Sequence, residues 1–197
     1  AVVAAFIFLG GVTRIASVTE KLVPVMACFY LVGGLVMLIA NITNLPHAFA
    51  LIFEGAFNPQ AILGGAVGIG VREAMRYGVA RGLFSNEAGM GSTPHAHAMA
   101  KVEKPQDQGV VAMVCVFIDT FVVLTITALV MITSGALNVG DMAANPAAEN
   151  MAQVAFSTVF GSFGNFYVAI CLLFFAFSTI IGWYFFGEQN VKYLFGV

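Results

Sequence analysis

Residues 81–97 read Arg81-Gly-Leu-Phe-Ser-Asn-Glu-Ala-Gly-Met-Gly-Ser-Thr-Pro-His-Ala-His97. Three glycines, a proline and an adjacent Asn-Glu pair argue against a regular helix, because glycine and proline are the poorest helix formers and Asn favours turns. A span entering a bilayer near Met75 climbs about 1.5 Å per residue. It reaches the middle around Asn86 and Glu87 and leaves near Met99. Unwound backbone at that depth survives only where protein or a water-filled cavity satisfies its amides and carbonyls. Half-helix ends presented there can hold ions and zwitterionic ligands. The stretch therefore predicts one span over 71–100, interrupted near 85–91, with a binding site at the break. The alternative is a shorter helix followed by a cytoplasmic loop, with Ser85 to Ser92 a plain polar turn.

The surrounding sequence places this segment in lipid. Of 197 residues, 60% are hydrophobic and 9% charged, far from the roughly half apolar, quarter charged balance of soluble domains, and the mean hydropathy is +0.93. Further apolar runs cover 1–12, 22–42, 110–133 and 165–186, the middle two and the last long enough for the about twenty residues a bilayer core demands. The fold class expected is an all-α polytopic membrane helix bundle, with residues 1–197 forming one transmembrane domain. Because the chain opens at Ala1 inside an apolar run and stops just beyond Lys192 and Tyr193, it is expected to be an internal fragment of a longer protein. A net charge of −2 without a basic run excludes the electrostatic footprint of a nucleic-acid binder. Cys28, Cys115 and Cys171 sit singly in apolar runs with no CxxC spacing and read as packing residues.

Lysine and arginine in short connections mark the cytoplasmic side. Arg14 and Lys21 lie between the first two runs, Lys101 and Lys104 precede the run from Val110, and Lys192 follows the last. Loops 43–60 and 136–163 carry acids but no Lys or Arg. Alternation then requires one span within 61–100, running inward, with Arg72 and Arg76 as exceptions near the outer surface. The stretch Asn138 to Gln153 reads as an external loop with a short amphipathic piece, and Lys101 to Asp107 as a solvated loop broken by Pro105.

Charged groups inside a bilayer are costly and default to paired or functional roles. Arg81, Glu87 and Asp119 are the cases here, and Asp119 lies about 15 Å deep in its span, too short to reach the headgroups. Arg81 is expected to network with Glu87 or Asp119 and so hold the broken helix, as a structural ion pair or as a proton relay. In the last run, Phe175, Ser178, Thr179, Gly182 and Trp183 recur along one helix face. An adjacent Ser-Thr pair with the carbonyl one turn earlier offers a hard cation oxygen ligands; alternatively each hydroxyl bonds its own i−4 carbonyl. Trp183 either walls a small pocket or anchors the helix end at the interface. His95 and His97 are about 200° apart on a helix and make no metal site.

The string GVARGLFSNEAGMGS (Gly78–Ser92), with VTEKLVP (Val18–Pro24) and VCVFIDT (Val114–Thr120), resembles the alanine or glycine:cation symporter family, whose members have the LeuT-type fold of two five-helix inverted repeats. The resemblance covers nearly the whole chain. It implies a fragment from the end of helix 4 to helix 8, with 71–100 as the first helix of the second repeat. It also implies sodium at the Phe175 carbonyl and the Ser178 and Thr179 hydroxyls, and substrate contacts from Phe84, Ser85, Asn86, Gly89, Thr179 and Trp183. The implied activity is sodium-coupled symport of a small neutral amino acid, alanine or glycine, across the cytoplasmic membrane by alternating access, with no cofactor besides the coupling sodium ion. The competing reading is a membrane-embedded enzyme or channel using Glu87, Asp119, His95 and His97. No nucleophile–base pair, metal-ligand cluster or phosphate loop supports it.

Overall fold

The computed structural model describes residues 2–57, 67–87, 89–137 and 150–196, which are helical apart from short connections. In chain order the helices are α1 (Val2–Phe8), α2 (Gly11–Ala40), α3 (Leu45–Phe57), α4 (Val67–Ser85), α5 (Thr93–His97), α6 (Pro105–Thr133), α7 (Met151–Phe160) and α8 (Ser162–Phe195). Among the described residues, α2, α6 and α8 are long and apolar enough to cross a membrane. With 30 residues, α2 extends about 45 Å and overreaches a hydrocarbon core about 30 Å thick.

Several boundaries differ from the sequence expectation. The first junction falls at Leu9 and Gly10, and Arg14 and Lys21 lie inside α2 rather than in a connection. Gly11 makes the turn at φ 68°, and Arg14 folds back over it, its Nη1 donating to the Phe6 carbonyl at 3.0 Å and its guanidinium 4.7 Å from the Phe6 ring centre. Residues 14–21 contain no Gly or Pro, so nothing local stops the helix there. α3 and α7 are helices where loops were expected; Pro46 sits in the first turn of α3, where its missing N–H costs nothing. Of the loop expected from Asn138 to Gln153, residues 138–149 lie outside the described residues, as does the side chain of Arg72. Within α6, Ile118–Leu124 form a π-helical segment, a wider turn often found where function is built.

Helices in lipid associate through close packing rather than hydrophobic drive, so small residues mark their seams. Gly33 and Gly34 of α2 show this: a Cβ at Gly33 would overlap the Tyr167 ring of α8, and one at Gly34 the Ile126 side chain of α6. Around that seam Met37, Val130, Ala155, Phe156, Tyr167 and Cys171 are buried together. A second cluster joins Ile7 and Ile15 to Ile181 and Phe185, beside Phe8 stacked on Tyr184 at 3.9 Å. Gly161, at φ 57°, turns α7 into α8, and Gly164 lies against the backbone of Phe156 and Ser157.

Candidate functional site: a helix break docked on a π-helical segment

α4 stops at Ser85 for reasons visible residue by residue. The Asn86 N–H still reaches the Gly82 carbonyl at 3.3 Å, while the Glu87 N–H turns to the nearer Phe84 carbonyl at 3.2 Å, a tightening typical of a helix end. Glu87 then takes φ 51°, a left-handed conformation that residues with a Cβ rarely adopt, and Gly89 and Gly91 follow at φ 79° and 85°, where glycine meets no steric penalty. Glu87 is held by its own side chain. Its Oε2 accepts from the Ser92 hydroxyl at 2.5 Å and the Thr93 hydroxyl at 2.9 Å. There α5 begins, with Pro94 in its first turn.

The end of α4 is tied to the π-helical segment of α6. The Ser85 hydroxyl donates to Asp119 Oδ2 at 3.3 Å, and the Thr120 hydroxyl donates to Asn86 Oδ1 at 3.2 Å. Asn86 Nδ2 meanwhile donates to the Gly82 carbonyl at 3.3 Å. Among the described residues Arg81 is exposed and no ion pair joins it to Glu87 or Asp119. Both carboxylates take hydroxyl donors instead.

Beside the break lies a cleft of about 910 Å³, with Asn86, Glu87 and Gly89 on one side and Gln108 and Ala112 of α6 on the other. His97 also lines it, and its Nδ1 accepts from Gln108 Nε2 at 2.7 Å. His95 is engaged separately, Nδ1 lying 3.0 Å from the Gly91 carbonyl. Among the described residues, no group of His, Cys, Asp or Glu is placed to hold a metal ion by itself. Phe84, at 64% exposure, points away from the packed interior.

The other predicted set lies on α8. The Ser178 and Thr179 hydroxyls both donate to the Phe175 carbonyl, at 2.9 and 2.8 Å, so these three residues share one oxygen-rich patch. Trp183 is 44% exposed and meets Phe186 edge-on at 5.8 Å. Phe186 in turn lies 5.9 Å from the His95 ring, and through this aromatic chain α5 meets α8. The cleft beside the break is not lined by Phe175, Ser178, Thr179 or Trp183. The two patches are thus each assembled but not joined within the described residues.

Sequence reasoning missed Thr120, Ser92 and Thr93. Thr120 follows Asp119 directly inside an apolar span, and that polar pair was a legible signal. Ser92-Thr93-Pro94 carries a helix-start pattern.

Residues 1–197 match the profile of a transporter family over their whole length. The chain belongs to the sodium:alanine symporter family. It is 45% identical over 192 residues to a transporter of Haemophilus influenzae, covering 97% of this chain and 41% of that protein. It is 41% identical over 196 residues to the sodium/alanine symporter AgcS of Methanococcus maripaludis, covering 100% of this chain and 42% of that protein. It is 39% identical over 188 residues to the probable sodium/glutamine symporter GlnT of Bacillus subtilis, covering 95% of this chain and 38% of that protein. The chain spans about two fifths of the length of the relatives it matches. As a member of the sodium:alanine symporter family with three membrane-length apolar helices among the described residues, it is part of an integral membrane protein.

Proposed function

We propose that the protein to which this chain belongs is a multi-pass cytoplasmic-membrane symporter that couples sodium entry to uptake of a small neutral amino acid by alternating access. The observation that carries this reading is the end of α4 at Ser85, where Glu87, Gly89 and Gly91 all take positive φ beside a cleft of about 910 Å³. Broken backbone in a membrane protein is the usual place for a zwitterion and its coupling ion. Family membership and the printed names of the alanine and glutamine relatives support the same reading.

In this account Phe84, Ser85, Asn86 and Gly89 contribute substrate contacts from the break, and Thr179 and Trp183 contribute from α8. Sodium takes the Phe175 carbonyl with Ser178 and Thr179. The Phe175 oxygen accepts two hydroxyl protons in addition to the backbone N–H that the helix directs at it. A cation arriving there therefore turns at least one hydroxyl away and replaces its proton at the carbonyl. Segments of the parent protein beyond this chain bring the α8 patch and the break to a common site.

The test is uptake of labelled alanine into proteoliposomes by the full-length protein. An inward sodium gradient is expected to drive accumulation above equilibrium, collapsed by a sodium ionophore, with unlabelled glycine and glutamine as competitors to set the substrate range. Absence of gradient-driven accumulation of any neutral amino acid contradicts the proposal.

A further inference from the structure

We propose that Thr120 is a positioning residue: from the π-helical segment of α6, its hydroxyl fixes the Asn86 amide and with it the point at which α4 unwinds. For its functional consequence this rests on the transport reading above; its structural consequence stands apart from it.

Threonine in a membrane helix ordinarily donates to the carbonyl four residues earlier. Two threonines of α6 do so, Thr127 to Val123 at 2.8 Å and Thr133 to Leu129 at 2.7 Å. Thr120 differs. A hydroxyl has one proton to give, and Thr120 gives it across the interface to Asn86 Oδ1 at 3.2 Å. It sits in the Ile118–Leu124 segment, where the backbone pairing shifts from four residues to five.

The register of the contact is unusual in the same way. Ser85 and Asn86 are neighbours in sequence, and so are Asp119 and Thr120, yet both pairs bond, 34 residues apart in each case. Consecutive side chains of a regular helix diverge by about 100°, so two straight helices do not meet through two adjacent pairs. Here one helix is ending and the other is widened. Asn86 is thereby satisfied on both halves of its amide, Nδ2 by Gly82 and Oδ1 by Thr120. The next residue is Glu87 at φ 51°, a conformation that persists only where its surroundings over-determine it. Fixing Asn86 supplies one side of that restraint, and the Ser92 and Thr93 hydroxyls on the Glu87 carboxylate supply the other.

The experiment compares Thr120→Val, which keeps the shape and removes the hydroxyl, with Thr120→Ser, which keeps the hydroxyl, both in the full-length protein. Hydrogen–deuterium exchange in detergent reads the structural claim. In Thr120→Val the amides around 86–92 are expected to exchange about tenfold faster while those of the α2–α8 seam are unchanged, and Thr120→Ser is expected to match wild type. Sodium-driven alanine uptake reads the functional consequence: Thr120→Val raises KM about tenfold, equivalent to about 1.4 kcal/mol, with its maximal rate far less affected, and Thr120→Ser restores it. Unchanged exchange at 86–92 in Thr120→Val overturns the proposal, as does a uniform loss that Thr120→Ser fails to rescue. Faster exchange in a protein that shows no uptake even as wild type supports the positioning role and removes the transport reading instead. Should Thr120→Val not be recovered folded, Thr120→Ala makes the same comparison.

Discussion

The Tyr167 hydroxyl donates to the Phe29 carbonyl at 2.6 Å, and the hydroxyl end of its ring occupies the space a side chain at Gly33 would need. Gly33 therefore makes room for α8 against α2, and the hydrogen bond ties the two helices together there. Such a seam gives the rest of the bundle a rigid frame against which the α4 break can be held.

Replacing Gly33 with alanine forces the Tyr167 ring aside. Overpacking of this kind costs about 1–3 kcal/mol, so the thermal midpoint of the detergent-solubilised protein is expected to fall by several degrees. Adding Tyr167→Phe removes the atom that collides first, so the double variant is expected to lose less than the sum of the single ones, a coupling that contacting residues show. Strict additivity in the melts would contradict the packing described.

Tyr167→Phe alone removes one hydrogen bond to a backbone carbonyl. A typical net cost is about 1 kcal/mol, and the expected result is a small drop in thermal midpoint with uptake preserved.

Glu87 combines positive φ with two hydroxyl donors on its carboxylate. Glu87→Gln keeps an oxygen that can accept and is expected to retain most uptake. Glu87→Ala loses both bonds and is expected to lose uptake by about tenfold or more, since it leaves the buried Ser92 hydroxyl unmet, at a cost of about 1–3 kcal/mol. Initial uptake rates at matched expression distinguish the two.

Gly91 stands at φ 85° in open space, so a methyl group there meets no neighbour and acts through the backbone alone. Gly91→Ala is expected to cost about 1–2 kcal/mol, while Gly91→Asn, which tolerates left-handed backbone better, costs less. Equal effects of Ala and Asn on uptake and melting would argue that the turn has another conformation.

Ser178→Ala with Thr179→Ala strips both hydroxyls from the Phe175 carbonyl without burying an unmet donor. Expression is expected to hold, while the sodium concentration for half-maximal alanine uptake rises by about tenfold or the sodium dependence vanishes. An unaltered sodium dependence would move the ion elsewhere.

The break of α4 was legible because glycine, asparagine and glutamate stand together in a lipid-compatible chain, a conflict between local preference and environment that marks functional sites. On α8 the spacing of Phe175, Ser178 and Thr179 shows that they share a face, and the structure has both hydroxyls bonded back to the Phe175 carbonyl of their own helix, the alternative that the sequence also allowed. The π-helical segment was not legible. Ile118–Leu124 contains no glycine or proline, so nothing in its own residues marks the widened turn. Arg81 is a related case: sequence puts a cation near Glu87 and a second acid, Asp119, in another span, but does not show that the hydroxyls of Ser85, Ser92 and Thr93 bond these carboxylates. The early boundary of α2 turns on the fold-back of Arg14 onto Phe6, a tertiary contact that charge counting cannot supply.

The most direct test of the binding role of the break is substrate protection. Single cysteines are placed in turn at positions 84 to 92 of the full-length protein with Cys28, Cys115 and Cys171 replaced, and labelled with a water-soluble thiol reagent. Labelling between Asn86 and Gly91 that slows severalfold when alanine and sodium are added together, and not with either alone, is the predicted result. Ready labelling that ignores both, or no labelling of these positions at all, would contradict a binding site at the break.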